Sequence, residues 1–106
     1  MSQWIQNTGD LIDFISYAMV YAPNNYPAED YLADDEQMTM VSAFDEIAGG
    51  LRFVEGISNK DLLQQITSTF DAARETYMAG RFGEGSLVLQ ALQTLLSKAR
   101  RLNGPQ

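Results

Sequence analysis

The stretch Phe70–Leu102, FDAARETYMAGRFGEGSLVLQALQTLLSKARRL, decides the fold. It reads as two helices joined at Gly80-Arg81-Phe82-Gly83. Before the joint, Phe70, Ala73 and Tyr77 fall three and four apart, on one helical face. After it, Val88, Leu92, Leu95, Leu96 and Ala99 repeat the same spacing. Gly80 suits the left-handed conformation that closes a helix. Phe82 is expected to plug the corner between the two helices. The hairpin specifies an architecture and no reaction.

Upstream, Leu62, Leu63 and Ile66 extend the inner face of the third helix, expected over about 59–79. Ser58 with Asp61 resembles a capping box at its start. The fourth helix is expected over about 84–102. Lys98, Arg100 and Arg101 in its last turns complement the negative end of the dipole, and Asn103-Gly104-Pro105 ends it.

The same spacing places a second helix over about 35–55, with Asp34 or Asp35 as its cap. Met40, Val41, Phe44, Ile47, Ala48, Leu51 and Val54 form its expected buried face. Gly49-Gly50 lies inside this pattern, as a kink or a point of close approach. Gly56 follows as the stop. A first helix is expected over about 2–21, where Trp4, Ile5, Thr8, Leu11, Ile12, Ile15 and Met19 make one stripe. Phe14, Tyr17 and Tyr21 make a second stripe well away from the first, which implies a central helix or one covered by a partner. The expectation is an all-α fold, either a four-helix bundle or two stacked antiparallel helical hairpins, in a single domain spanning 1–106.

Within the hairpin, Tyr77-x-x-Gly80-x-Phe82-x-x-Gly85-x-x-x-Leu89-x-x-Leu92 resembles the middle of a tetratricopeptide repeat. The resemblance covers residues 69–99, about one 34-residue repeat. It implies that Gly85 holds the close-contact position between the two helices, where the family more often has alanine. No second copy is visible in residues 1–56, so what carries over is hairpin geometry.

Composition narrows the function classes. The 106 residues include no cysteine and no histidine. That removes disulfides, thiolate metal sites, cysteine nucleophiles and the commonest general base. Carboxylates are the only plentiful catalytic groups. Asp10 with Asp13, and the acids between Glu29 and Glu36, are of the type that binds a hard cation, but paired acids on facing helices with bases for phosphate are not legible. The calcium-loop glycine is missing from residues 29–40, and Gly80, Gly83 and Gly85 lack the lysine of a phosphate loop. Met19, Met38 and Met40 read as core or incidental. No enzyme, metal or cofactor is expected. No apolar run approaches the roughly 20 residues of a membrane span, and the first positive side chain is Arg52, so a cytoplasmic location is expected.

The net charge of −7 is unevenly placed. Residues 1–51 hold nine acids and no Lys or Arg, whereas residues 52–106 hold five acids against seven bases. Such a field repels nucleic acid and anionic lipid and attracts basic proteins. The irregular stretch 22–34 opens on Pro23 and Pro27, and it combines aromatic with acidic side chains. Tyr26, Glu29, Asp30, Tyr31, Asp34, Asp35 and Glu36 form the expected contact surface for a basic protein partner. A small acidic helical inhibitor, of the kind that gives bacteria immunity to a toxic effector, is the concrete expectation. The alternative is an adaptor or scaffold, possibly homodimeric, working through the tetratricopeptide-like hairpin or through Phe14, Tyr17 and Tyr21 as a second interface; a divalent-cation-dependent hydrolase using the carboxylates is a lesser reading.

Overall fold

The computed structural model describes residues 5–21 and 39–102. These form four α-helices, α1 (Thr8–Tyr21), α2 (Met40–Gly50), α3 (Lys60–Met78) and α4 (Phe82–Leu102), with a 3₁₀ turn at Leu51–Val54 between α2 and α3. No strand is present among the described residues. The fold is all-α, as the sequence predicts. Trp4, the 22–34 stretch, the expected caps Asp34 and Asp35, and the Asn103-Gly104-Pro105 stop lie outside the described residues.

The helix starts differ from expectation, and local hydrogen bonds give the reason. In α1, Ile5–Asn7 are not helical. The Asn7 side chain accepts from the Asp10 N–H at 2.8 Å, and the Asp10 carboxylate accepts from the Gln6 N–H at 3.1 Å. The first bond satisfies a donor that the helix leaves open, and the second ties the preceding residue Gln6 to its first turn. In α2, the cap is Thr39 in an extended conformation. Its hydroxyl accepts from Ser42 N–H at 3.1 Å, and the Ser42 hydroxyl accepts from Thr39 N–H at 2.8 Å. In α3, Asn59 replaces the expected Ser58, accepting from Leu62 N–H at 3.0 Å.

The α3–α4 joint is three residues long. Gly80 has φ +83°. Its N–H donates to the Tyr77 carbonyl and the Arg81 N–H to the Thr76 carbonyl, both at 3.0 Å. Those two bonds close the end of α3 around a residue in the left-handed region, which glycine adopts without a Cβ penalty. The corner is plugged by Tyr77 rather than Phe82. Tyr77 is 2% exposed, while Phe82 is 38% exposed and lies against it, ring centroids 5.9 Å apart. A methyl group at Gly85 would stand 2.6 Å from Tyr77 Cδ2, so glycine is what lets α4 close onto that ring.

α4 packs most extensively on α3 and also on α1; α1 in turn packs on α2. Gln93 of α4 donates to the Ile12 carbonyl at 2.9 Å and to the Ser16 hydroxyl at 2.7 Å, while Arg100 lies beside Gly9. This register runs α1 and α4 antiparallel. Gly50 at the end of α2 abuts Leu11 and Ile5, so α2 is antiparallel to α1 as well. Phe44 closes the arrangement, with its ring centroid 5.3 Å from that of Tyr77 and 6.1 Å from that of Phe70. The result is two hairpins packed into one bundle. The Cα extents are 40 × 29 × 16 Å. The shortest fits two helix layers about 8–10 Å apart, each with a Cα cylinder of about 2.3 Å radius.

The core joins Leu11, Phe14, Ile15 and Ala18 of α1, Ala43, Phe44 and Ile47 of α2, and the inner faces of α3 and α4. α2 is rotated from its expected face. Val41 and Ala48 are exposed, whereas Ala43 and Gly50 are buried. Glycine at position 50 lets the end of α2 approach Leu11 of α1 closely, where the dense interior leaves no room for a larger side chain.

Candidate functional site

The expected contact residues Tyr26, Glu29, Asp30, Tyr31, Asp34, Asp35 and Glu36 lie outside the described residues. Of the second expected interface, Phe14 is 5% exposed and belongs to the core. Tyr17 and Tyr21 are half-buried beside it, in a ladder of rings with centroids 5.5 Å and 5.0 Å apart. Phe14 is therefore spent on packing α1, and Tyr17 packs against the same core.

The fold brings bases from the second part of the chain onto acids of the first. Arg74 of α3 meets Asp45 of α2 at 3.2 Å, with both side chains well exposed. Arg100 lies against the first turn of α1, which carries Asp10. Asp10 serves the helix start, bonded to Gln6, while Asp13 is exposed. Among the described residues no group of three or more acidic side chains gathers where a metal ion could be held. No described helix is long and apolar enough to cross a membrane.

Two surface depressions are formed by described residues. One, of about 330 Å³, lies where α2 runs into the 3₁₀ turn. Asp45, Glu46 and Arg52 supply its charges, Ile5 and Phe53 its apolar walls, and Gly49 with Gly50 its bare backbone. The Arg52 guanidinium carbon lies 4.9 Å from the centre of the Phe53 ring. The other, about 510 Å³ and shallower, runs between α3 and α4 and is lined mainly by Gln64, Gln65, Ser68 and Thr69. The first was not singled out from the sequence. The signal present there is Asp45-Glu46 placed three to five residues before Gly49-Gly50, which sets two acids beside exposed backbone on one helix end.

Among the described residues, Tyr77 has its protonation perturbed by the fold. Burial pushes its hydroxyl above the usual phenol range, and a hydrogen bond with Ser86 pulls the other way. Its position between α2, α3 and α4 makes it structural. Exposed large apolar side chains are Val20 (69%), Leu87 (67%), Val41, Met78 and Phe82. In the α1–α4 register, Val20 and Leu87 fall at the same level of adjacent helices.

In comparison with known proteins, no family model matches the chain, no curated protein sequence matches it, and no solved structure matches its fold.

Proposed function

We propose that this chain is a small acidic helical module that binds and masks a basic protein partner, most concretely an immunity-type inhibitor of a bacterial toxin. The observation that carries the reading is the order of charge along the chain. Nine acids precede the first base, Arg52, and five of them fall between Glu29 and Glu36. A one-signed surface raises encounter rates with a partner of opposite sign. Tyr26 and Tyr31, interleaved with those acids, supply the rigid apolar area that interface centres favour. On this reading the chain needs no catalytic group or cofactor, works in the cytoplasm, and takes neither nucleic acid nor membrane, both of which share its sign.

The test begins with affinity capture from the native cell and identification of the bound protein. Association of that protein is then measured with the variant carrying D34K, D35K and E36K. The expected result is a basic partner whose association slows about tenfold and loses salt dependence in the variant. An unchanged rate and an unchanged salt dependence would remove this surface from the reading.

The alternative is an adaptor that forms a homodimer. Val20 and Leu87, exposed at one level of two packed helices, favour it.

A further inference from the structure

We infer that one end of the bundle is the seat for a basic amphipathic helix of a protein partner. Val20, Val41, Met78, Phe82 and Leu87 are the large apolar side chains that stand exposed among the described residues. The helix register brings all of them to the same end. Gln93, bonded to Ile12 and Ser16, sets Leu87 level with Val20. Gly50 against Leu11 and Ile5 puts the start of α2, and Val41 with it, beside the end of α1. Met78 and Phe82 flank the α3–α4 joint, which lies beyond Leu87 at that end. Single exposed apolar residues scattered over a surface are ordinary, whereas their gathering at one place marks a contact site.

Charge divides along the same axis. Arg52, Lys60, Lys98, Arg100 and Arg101, five of the seven bases, lie at the far end, where α2 runs out, α3 starts and α4 finishes. The other two are each ion-paired: Arg74 with Asp45 at 3.2 Å and Arg81 with Glu84 at 3.1 Å. Tyr21 ends α1 and Thr39 caps α2, so residues 22–38 are tethered to the apolar end on both sides, and their sequence carries five acids and no base. A positively charged partner is thereby steered onto the end where apolar area is open. That complementarity selects the occupant: an apolar stripe flanked by Lys and Arg, which an amphipathic helix presents at three- and four-residue spacing. A second copy would bring the same acids and meet repulsion. That the helix belongs to a basic protein rests on the masking reading, and a synthetic peptide tests the seat without that protein.

The experiment titrates the full ¹⁵N-labelled chain with a capped Leu/Lys peptide of about 14 residues, its leucines on one helical face. A peptide of the same composition with the leucines scattered, and a Leu/Glu peptide with the leucines in place, are the controls. The amide signals of Val20, Val41, Met78, Phe82 and Leu87 are followed. The expected result is saturable shifts centred on these amides for the Leu/Lys peptide alone. Affinity should fall about tenfold in V20T/L87Q, which removes apolar contact without adding charge. Both positions are exposed, and circular dichroism checks that the variant keeps its helices. Equal binding of either control peptide, shifts centred on the end that carries Arg52 and Arg100, or unchanged affinity in V20T/L87Q would overturn the proposal. A concentration-dependent mass of the chain alone, abolished by V20T/L87Q, would overturn it in favour of a second copy. Peptide binding at this end with no basic protein captured from the cell would keep the seat and retire the masking reading. No peptide binding, with a basic protein captured, would retire the seat alone.

Discussion

Three glycines of this chain have opposite consequences for a methyl group. At Gly85 it would press into Tyr77, itself held between Phe44 and Phe82. Gly85→Ala gains about 1 kcal/mol of helix propensity and loses about 1–3 kcal/mol to overpacking. We expect net destabilisation, read as a lower urea midpoint. At Gly49 the added methyl meets open space, so Gly49→Ala should raise that midpoint by an amount worth about 0.5–1 kcal/mol. At Gly50, one position on, a methyl group would stand 2.8 Å from Leu11 Cδ1, so Gly50→Ala should also lower the midpoint. Tyr77 gives a second expectation. Burial raises its hydroxyl pKa in the folded state above the ordinary phenol value of 10.0, so the folded chain holds that proton more tightly than the unfolded chain. The stability this contributes is complete below pH 10 and is lost as pH rises through the folded value. Tyr77→Phe should flatten the alkaline limb of a stability–pH curve, at the cost near pH 7 of about 1 kcal/mol for the Ser86 bond.

At the scale of elements, the α1–α4 seam depends on a polar clasp. Gln93 holds Ile12 and Ser16 from across the helix pair. Gln93→Leu keeps the volume and removes both bonds, and we expect a loss of about 1–2 kcal/mol. Hydrogen exchange should accelerate in α1 and α4 more than in α3. The helices and their order were legible because large apolar side chains recur at helical spacing on every one of them. The starts were not, because several polar residues near each start can cap equally well. Ser58 and Asn59 differ by one position, and only the bond from Leu62 N–H separates them. Ile5 continued the apolar period of α1 and is buried, yet it precedes the helix. The face of α2 was misread for a related reason. Spacing weights large side chains such as Val41, whereas burial falls on the small Ala43 and on Gly50, which abuts Leu11 of α1. The groove at the end of α2 was hidden altogether, since Phe53 and Ile5 reach it from different segments.

For the whole molecule, the masking and homodimer readings differ in the mass they expect. The masking reading expects one mass in sedimentation equilibrium, independent of concentration and unchanged by V20D with L87D. A mass that falls on this double substitution would support the homodimer. Both positions are solvent-facing in the described structure, so the variant should retain its helical content. Phe14→Asp would not serve this purpose, since it places a carboxylate in the core.

The clasp joins residues 77 and 81 positions apart in the chain. During synthesis, at about 5–20 residues per second, α4 follows α1 by roughly 4–16 s. Over that interval the apolar side of α1 facing α4 has no native cover, and the nascent chain is open to chaperones or to a neighbour emerging from the same polysome. Faster translation of the middle of the message would shorten this exposure.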